Sequence, residues 1–84
     1  MLGQMQDWPL LVHKIIDHAA LNHGDREVVT RLVEGPIHRT NYREIARRSR
    51  QAADALERRG IKFGDRVATL AWNGHRHMES WYGI

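Results

Sequence analysis

Val67-Ala68-Thr69-Leu70-Ala71-Trp72 is an apolar run interrupted by one threonine, entered from a Gly64-Asp65 turn and left at Asn73. A strand with one wet face alternates polar and apolar residues, and this run does not alternate. Arg66 to Trp72 therefore reads as a strand buried on both faces, of the kind found at the centre of a parallel sheet. Such a strand needs cover on two sides, and that demand governs the reading of everything before it.

The preceding residues supply cover for one side only. Leu11, Val12, Ile15, Ile16, Ala19 and Ala20 recur at helical spacing, which predicts a helix from about Trp8 to Asn22 with Pro9 at its first position. His23-Gly24-Asp25 ends it, with Gly24 as a left-handed cap. The β-branched stretch Glu27 to Val33 predicts a strand, returned by the turn Glu34-Gly35-Pro36 into a short second strand, Ile37 to Thr40. Asn41 with Glu44 forms a capping box. Behind it Tyr42, Ile45, Ala46, Ser49, Ala52, Ala53 and Leu56 occupy roughly one third of a helix circumference. Gly60 closes that helix, and Ile61 supplies the apolar contact of a Schellman ending. Asn73 caps a last helix, His75 to Ile84.

Strand, helix and strand in this order predict an α/β layer with a right-handed crossover, provided the strands are parallel. One face of the Arg66–Trp72 strand can rest on the Tyr42–Leu56 helix. Nothing remains for its other face, nor for Met78, Trp81, Tyr82 and Ile84. With 84 residues the chain is at most one small domain, and without cysteine no disulfide compensates for a small core. The expectation is a chain that lacks part of its cover.

Charge excludes rather than assigns. The 13 Lys and Arg against 10 Asp and Glu leave +3, dispersed along the chain, so a nucleic-acid partner is not expected. Met1 to Asp7 lack the basic and apolar regions of a signal peptide. No apolar run is long enough for a membrane span. Together with the absence of cysteine, this predicts a cytoplasmic location.

The candidate chemistry is sparse. His13, His18 and His23 are spaced by five, which turns successive rings about 140° apart on a helix, whereas helical metal pairs need three or four. His75 and His77 have no further ligand pair near them, so all six histidines read as solvated or capping, with no metal site. Arg43, Arg47, Arg48, Arg50, Arg58 and Arg59 would suit phosphate. But Glu44 stands four residues from Arg48, and Asp54 four from both Arg50 and Arg58, which is the pattern of an ion-paired solvated face. The glycines of Gly60-x-x-x-Gly64-Asp65 leave a helix and enter a strand, the reverse of a phosphate loop. No nucleophile elbow is present. Trp72-Asn73, at the carboxyl end of the expected strand, is where ligands collect in open α/β sheets, although Asn73 also suits a cap.

Thr40-Asn41-Tyr42-Arg43-Glu44-Ile45, Ala52-Ala53-Asp54-Ala55-Leu56 and Gly60-Ile61-Lys62-Phe63-Gly64-Asp65-Arg66-Val67-Ala68 closely resemble, in this order, the N-terminal region of the AMP-forming acyl-CoA synthetases. Asn41 stands where that adenylate-forming superfamily has threonine and keeps the capping role. Arg26-Glu27-Val28-Val29, Ile37-His38-Arg39-Thr40, and Val67 to Asn73 running into Arg76-His77-Met78-Glu79 resemble its medium- and long-chain fatty-acyl branch.

The resemblance implies residues 1–84 as the N-terminal segment of a larger α/β domain. Its order would be helix, β-hairpin, helix, buried strand and the start of a further helix, with no complete independent domain. It also implies a parent fatty-acid–CoA ligase that forms an acyl-adenylate from acid and ATP with Mg²⁺, releases pyrophosphate and passes the acyl group to coenzyme A. The phosphate-binding loop, the Mg²⁺ ligand, the ribose-binding aspartate and the adenylation lysine of that family lie beyond the matched segment. No catalytic, cofactor-binding or metal residue is therefore assigned here. The partners implied are the rest of the parent enzyme and, through the first helix, a second subunit in a homodimer. Two other classes stand beside this reading: a free-standing α/β interaction module and a basic nucleic-acid-binding domain.

Overall fold

The computed structural model describes residue 3 and residues 6–84; most of the stretch read against a signal peptide lies outside the described residues. The order is α1 (His13–His23), β1 (Glu27–Arg31), β2 (Ile37–Asn41), α2 (Tyr42–Arg58) and α3 (His75–Gly83), the mixed α/β order expected.

α1 begins at His13, five residues later than its apolar spacing predicts. Its cap position holds Val12, which has no side chain to offer the free amides. Leu10, Leu11 and Val12 stay more than half exposed among the described residues, and helix ends persist through packing more than through propensity. Trp8 instead lies under the Lys14 ammonium, 3.5 Å from the ring centre. Gly24 is not left-handed (φ −56°, ψ −31°). Glycine is needed there for space: a Cβ would meet the Ala20 carbonyl at 2.5 Å and the Arg43 guanidinium at 2.8 Å.

β1 and β2 pair antiparallel, from Glu27 opposite Asn41 to Arg31 opposite Ile37. Leu32 leaves the strand because its N–H donates to Pro36 O (2.9 Å) and its carbonyl accepts from Gly35 (3.0 Å). One hairpin face carries Val28 and Thr30 inward, while Val29 faces out.

α2 is built as its ends predict. The Glu44 N–H donates to Asn41 Oδ1 at 2.9 Å, although the Glu44 carboxylate turns to Arg47 rather than back to the cap. Asn41→Ala is expected to cost about 1 kcal/mol, read as a lower urea midpoint at unchanged slope. At the far end the Gly60 N–H reaches Glu57 O (3.0 Å) and the Ile61 N–H reaches Leu56 O (3.2 Å). Gly60 sits at φ +91°, which completes a Schellman motif.

The core is where α1 and α3 meet α2. Ile45 (0 % exposed), Ala46 and Ile16 are buried, ringed by Val28, Tyr42, Met78 and Tyr82. α3 thus takes the face of α2 that the sequence reserves for the 66–72 strand, and it finds cover for Met78 and Tyr82. Trp81 and Ile84 remain half exposed.

The buried strand is not formed. Residues 66–72 join no ladder, and the described residues hold one two-stranded sheet, β1–β2. Phe63 and Leu70 are fully exposed, and Trp72 is 78 % exposed. The cause is the absence of a partner: the hairpin strands satisfy each other, and α1 and α3 occupy the apolar stripe of α2. The expected crossover is absent with it. Asn73 does not cap α3 either. Gly74 holds the cap position, and the His75 N–H donates instead to Thr30 Oγ1 of β1, at 3.1 Å.

Candidate functional site

Between β1 and α3 lies an open groove of about 530 Å³, lined by Val28, Thr30, Asn73, His75, Met78 and Trp81 among others. The hairpin presents the inward residues of β1, and α3 presents its first two turns. Asn73 sits on the lip, so the flagged Trp72-Asn73 pair is near the groove, without the sheet edge that motivated the flag.

His75 departs from the solvated reading. It is 5 % exposed, and its ring stacks on His38 of β2 with centroids 3.9 Å apart and planes 19° from parallel. Among the described residues its Nδ1 has no hydrogen-bond partner. Burial first, then the neighbouring His38, holds its pKa below the ordinary imidazole value. The pair was hidden from sequence spacing because its members belong to different elements. The only sequence-level hint is that His38 and Thr30 face each other across the hairpin, next to the groove.

The other histidines do not converge. His13 lies 3.9 Å from Asp17, and His18 meets His23 edge-to-face at 5.9 Å. His77 Nε2 is 2.9 Å from Thr69 Oγ1 on exposed chain. That hydroxyl–imidazole contact has no carboxylate orienting His77 among the described residues, so it lacks the third member that arms a nucleophile.

The arginine-rich face is ion-paired, as its spacing suggests, but with longer reach. Arg58 pairs with Asp54 at 3.0 Å, while Arg50 crosses to Asp17 of α1 at 3.0 Å. Arg43 meets Asp25 at 2.6 Å. Glu44 pairs with Arg47, not Arg48; that contact lowers the Glu44 pKa and raises that of Arg47. Arg48 is used elsewhere: its Nε donates to Glu79 Oε1 of α3 at 2.9 Å. Glu34, held by its own backbone amide and by Arg76, has a lowered pKa. Exposed pairs of this kind contribute little, because solvent and salt screen them.

These residues do not fit the Mg²⁺ that the resemblance implies for a parent enzyme. Among the described residues no three His, Asp or Glu side chains gather as metal ligands. Seven of the 10 carboxylates are already paired with arginine. No described helix is long and apolar enough to cross a membrane.

Residues 16–84 match the AMP-binding enzyme family along their whole extent, and the chain belongs to that family. It is 48 % identical over 82 residues to 3-methylmercaptopropionyl-CoA ligase of Ruegeria lacuscaerulensis, a match covering 98 % of this chain and 15 % of that protein. Against the medium-chain-fatty-acid–CoA ligase of Ectopseudomonas oleovorans it is 42 % identical over 84 residues, 100 % of this chain and 15 % of the relative. The long-chain-fatty-acid–CoA ligase of Thermus thermophilus gives 40 % over 80 residues, 95 % and 15 %. The chain thus spans about 15 % of the length of these curated relatives.

Proposed function

We propose that residues 1–84 are the N-terminal segment of the large domain of an AMP-forming fatty-acid–CoA ligase, supplying scaffold and no catalytic group. The observation that carries this reading is the family match through residues 16–84, together with alignments that span about 15 % of the relatives' length. The shape supports it: the radius of gyration is 15.4 Å, against about 12 Å for a compact domain of this length. The parent activates a carboxylic acid with ATP to an acyl-adenylate, releases pyrophosphate and transfers the acyl group to coenzyme A, in the cytoplasm. ATP, Mg²⁺ and coenzyme A are held by its remaining residues. Leu10, Leu11 and Ile15, exposed on and before α1, are the surface a second subunit would cover in a homodimeric parent.

The test is the intact mass of the native protein that carries this segment, followed by ATP–pyrophosphate exchange. A mass of several times 9.8 kDa is expected. Exchange should depend on added acid, assayed with a medium-chain fatty acid, a long-chain one and 3-methylmercaptopropionate. The isolated chain should show none. A native mass of 9.8 kDa would reject the ligase segment in favour of a free-standing interaction module.

A further inference from the structure

Three contacts hold the start of α3 against the hairpin. The His75 N–H donates to Thr30 Oγ1 at 3.1 Å, Arg76 meets Glu34 at 3.1 Å, and the His75 ring stacks on His38 at 3.9 Å. The first two are indifferent to protons near neutrality; the third is not. Two imidazoles stacked at this separation attract as neutral rings and repel as cations.

The surroundings decide which state is tolerated. His75 is 5 % exposed and among the described residues its Nδ1 has no hydrogen-bond partner, so a proton added at Nδ1 gains neither water nor a hydrogen bond. From β2 it faces His38, from β1 the uncharged Thr30, from α2 Arg48, and on α3 Arg76 and Glu79. One carboxylate, already engaged by Arg48, stands against two guanidiniums and a second imidazole.

We propose that the His38–His75 stack is a proton-operated latch, closed while the buried His75 ring is neutral and opened when acid protonates it, which frees the first turn of α3 from the β1–β2 hairpin. The sign follows from the environment. The folded-state pKa of His75 lies below its ordinary value of 6.5. Its stabilising contribution is therefore complete above that value and is lost as pH falls through it toward the lower folded pKa. Glu34, whose pKa is lowered from 4.5, stays ionised down to about pH 5, so the Arg76 contact persists through this window and loosening within it belongs to histidine.

The measurement is amide hydrogen exchange on the native protein carrying this chain, at pH 7.5 and 5.0, corrected for intrinsic chemistry. It is independent of any ligase activity. The His75 and Met78 amides, bonded to Thr30 and Gly74, should be severalfold less protected at pH 5.0 than at pH 7.5, because the buried ring must then take up a proton. Amides in the middle of α2 should not change. His75→Phe keeps a stacked ring without its proton and should hold protection at pH 5.0, while His38→Phe, which removes the neighbouring imidazole but leaves His75 buried, should hold part of it. Should His75→Phe not fold, the NMR titration of the His75 ring decides instead, with a midpoint that rises in His38→Phe. Equal protection at the two pH values in the unmodified protein overturns the latch. So does an acid loss undiminished in His38→Phe, or a His75 midpoint indifferent to that substitution.

Discussion

Replacing Arg48 by methionine is expected to destabilise the fold by about 3 kcal/mol, several times the effect of Glu79→Gln. The two members of this pair sit in unequal surroundings. The Glu79 side chain is 7 % exposed and that of Arg48 is 47 % exposed. Removing Arg48 leaves a carboxylate buried between α2 and α3 without its hydrogen-bonded counter-charge, which is the costly way to break such a pair. Removing the charge of Glu79 leaves an arginine that already reaches water. The glutamine oxygen can still accept from Arg48 Nε, so about 1 kcal/mol is expected. Replacing both residues with apolar side chains of similar size should recover most of the Arg48→Met loss. Urea unfolding of the unmodified protein and the three variants checks the order. A Glu79→Gln loss equal to that of Arg48→Met would mean that burial does not govern the pair.

Arg48 also marks the boundary of what spacing reveals. The Asn41 cap, the Gly60 ending of α2 and the Gly35 turn of the hairpin are decided by bonds spanning a few residues, and all three were legible. The same local logic assigned Arg48 to Glu44, because a helix shows its own i,i+4 partners and nothing of its neighbours. The Glu79 contact and the His38–His75 stack join residues far apart in sequence, so no periodicity reports them. The start of α1 failed for a related reason. Leu10 to Val12 continue the helical pattern, but a helix end also needs a surface to rest on, and among the described residues these three stay exposed. Family membership was legible because it rests on the order of several short motifs, which survives whether or not each element finds its partner.

The apolar run 66–72 presents the sharpest case, since its composition was read plainly and its burial is absent. Leu70→Asp separates the two explanations. In the 84-residue chain Leu70 is fully exposed, so the substitution should change the urea midpoint of the helical signal by less than about 0.5 kcal/mol equivalent. In a longer parent that pairs this run on both edges and covers both faces, the same aspartate would place an unpaired charge in a dry sheet. The expected loss is then above about 3 kcal/mol, enough to unfold many domains or drive them into aggregates. Thr69→Val serves as the control, because it adds no charge and suits a buried strand, so it should be tolerated in both proteins. A large loss confined to the longer protein would show that the run is a core strand whose cover comes from elsewhere in the polypeptide. A small loss in both would mean that Val67 to Trp72 stays on the surface. Its apolar character would then have to be explained by a separate partner, because an exposed patch of this kind is seldom left bare in a soluble protein.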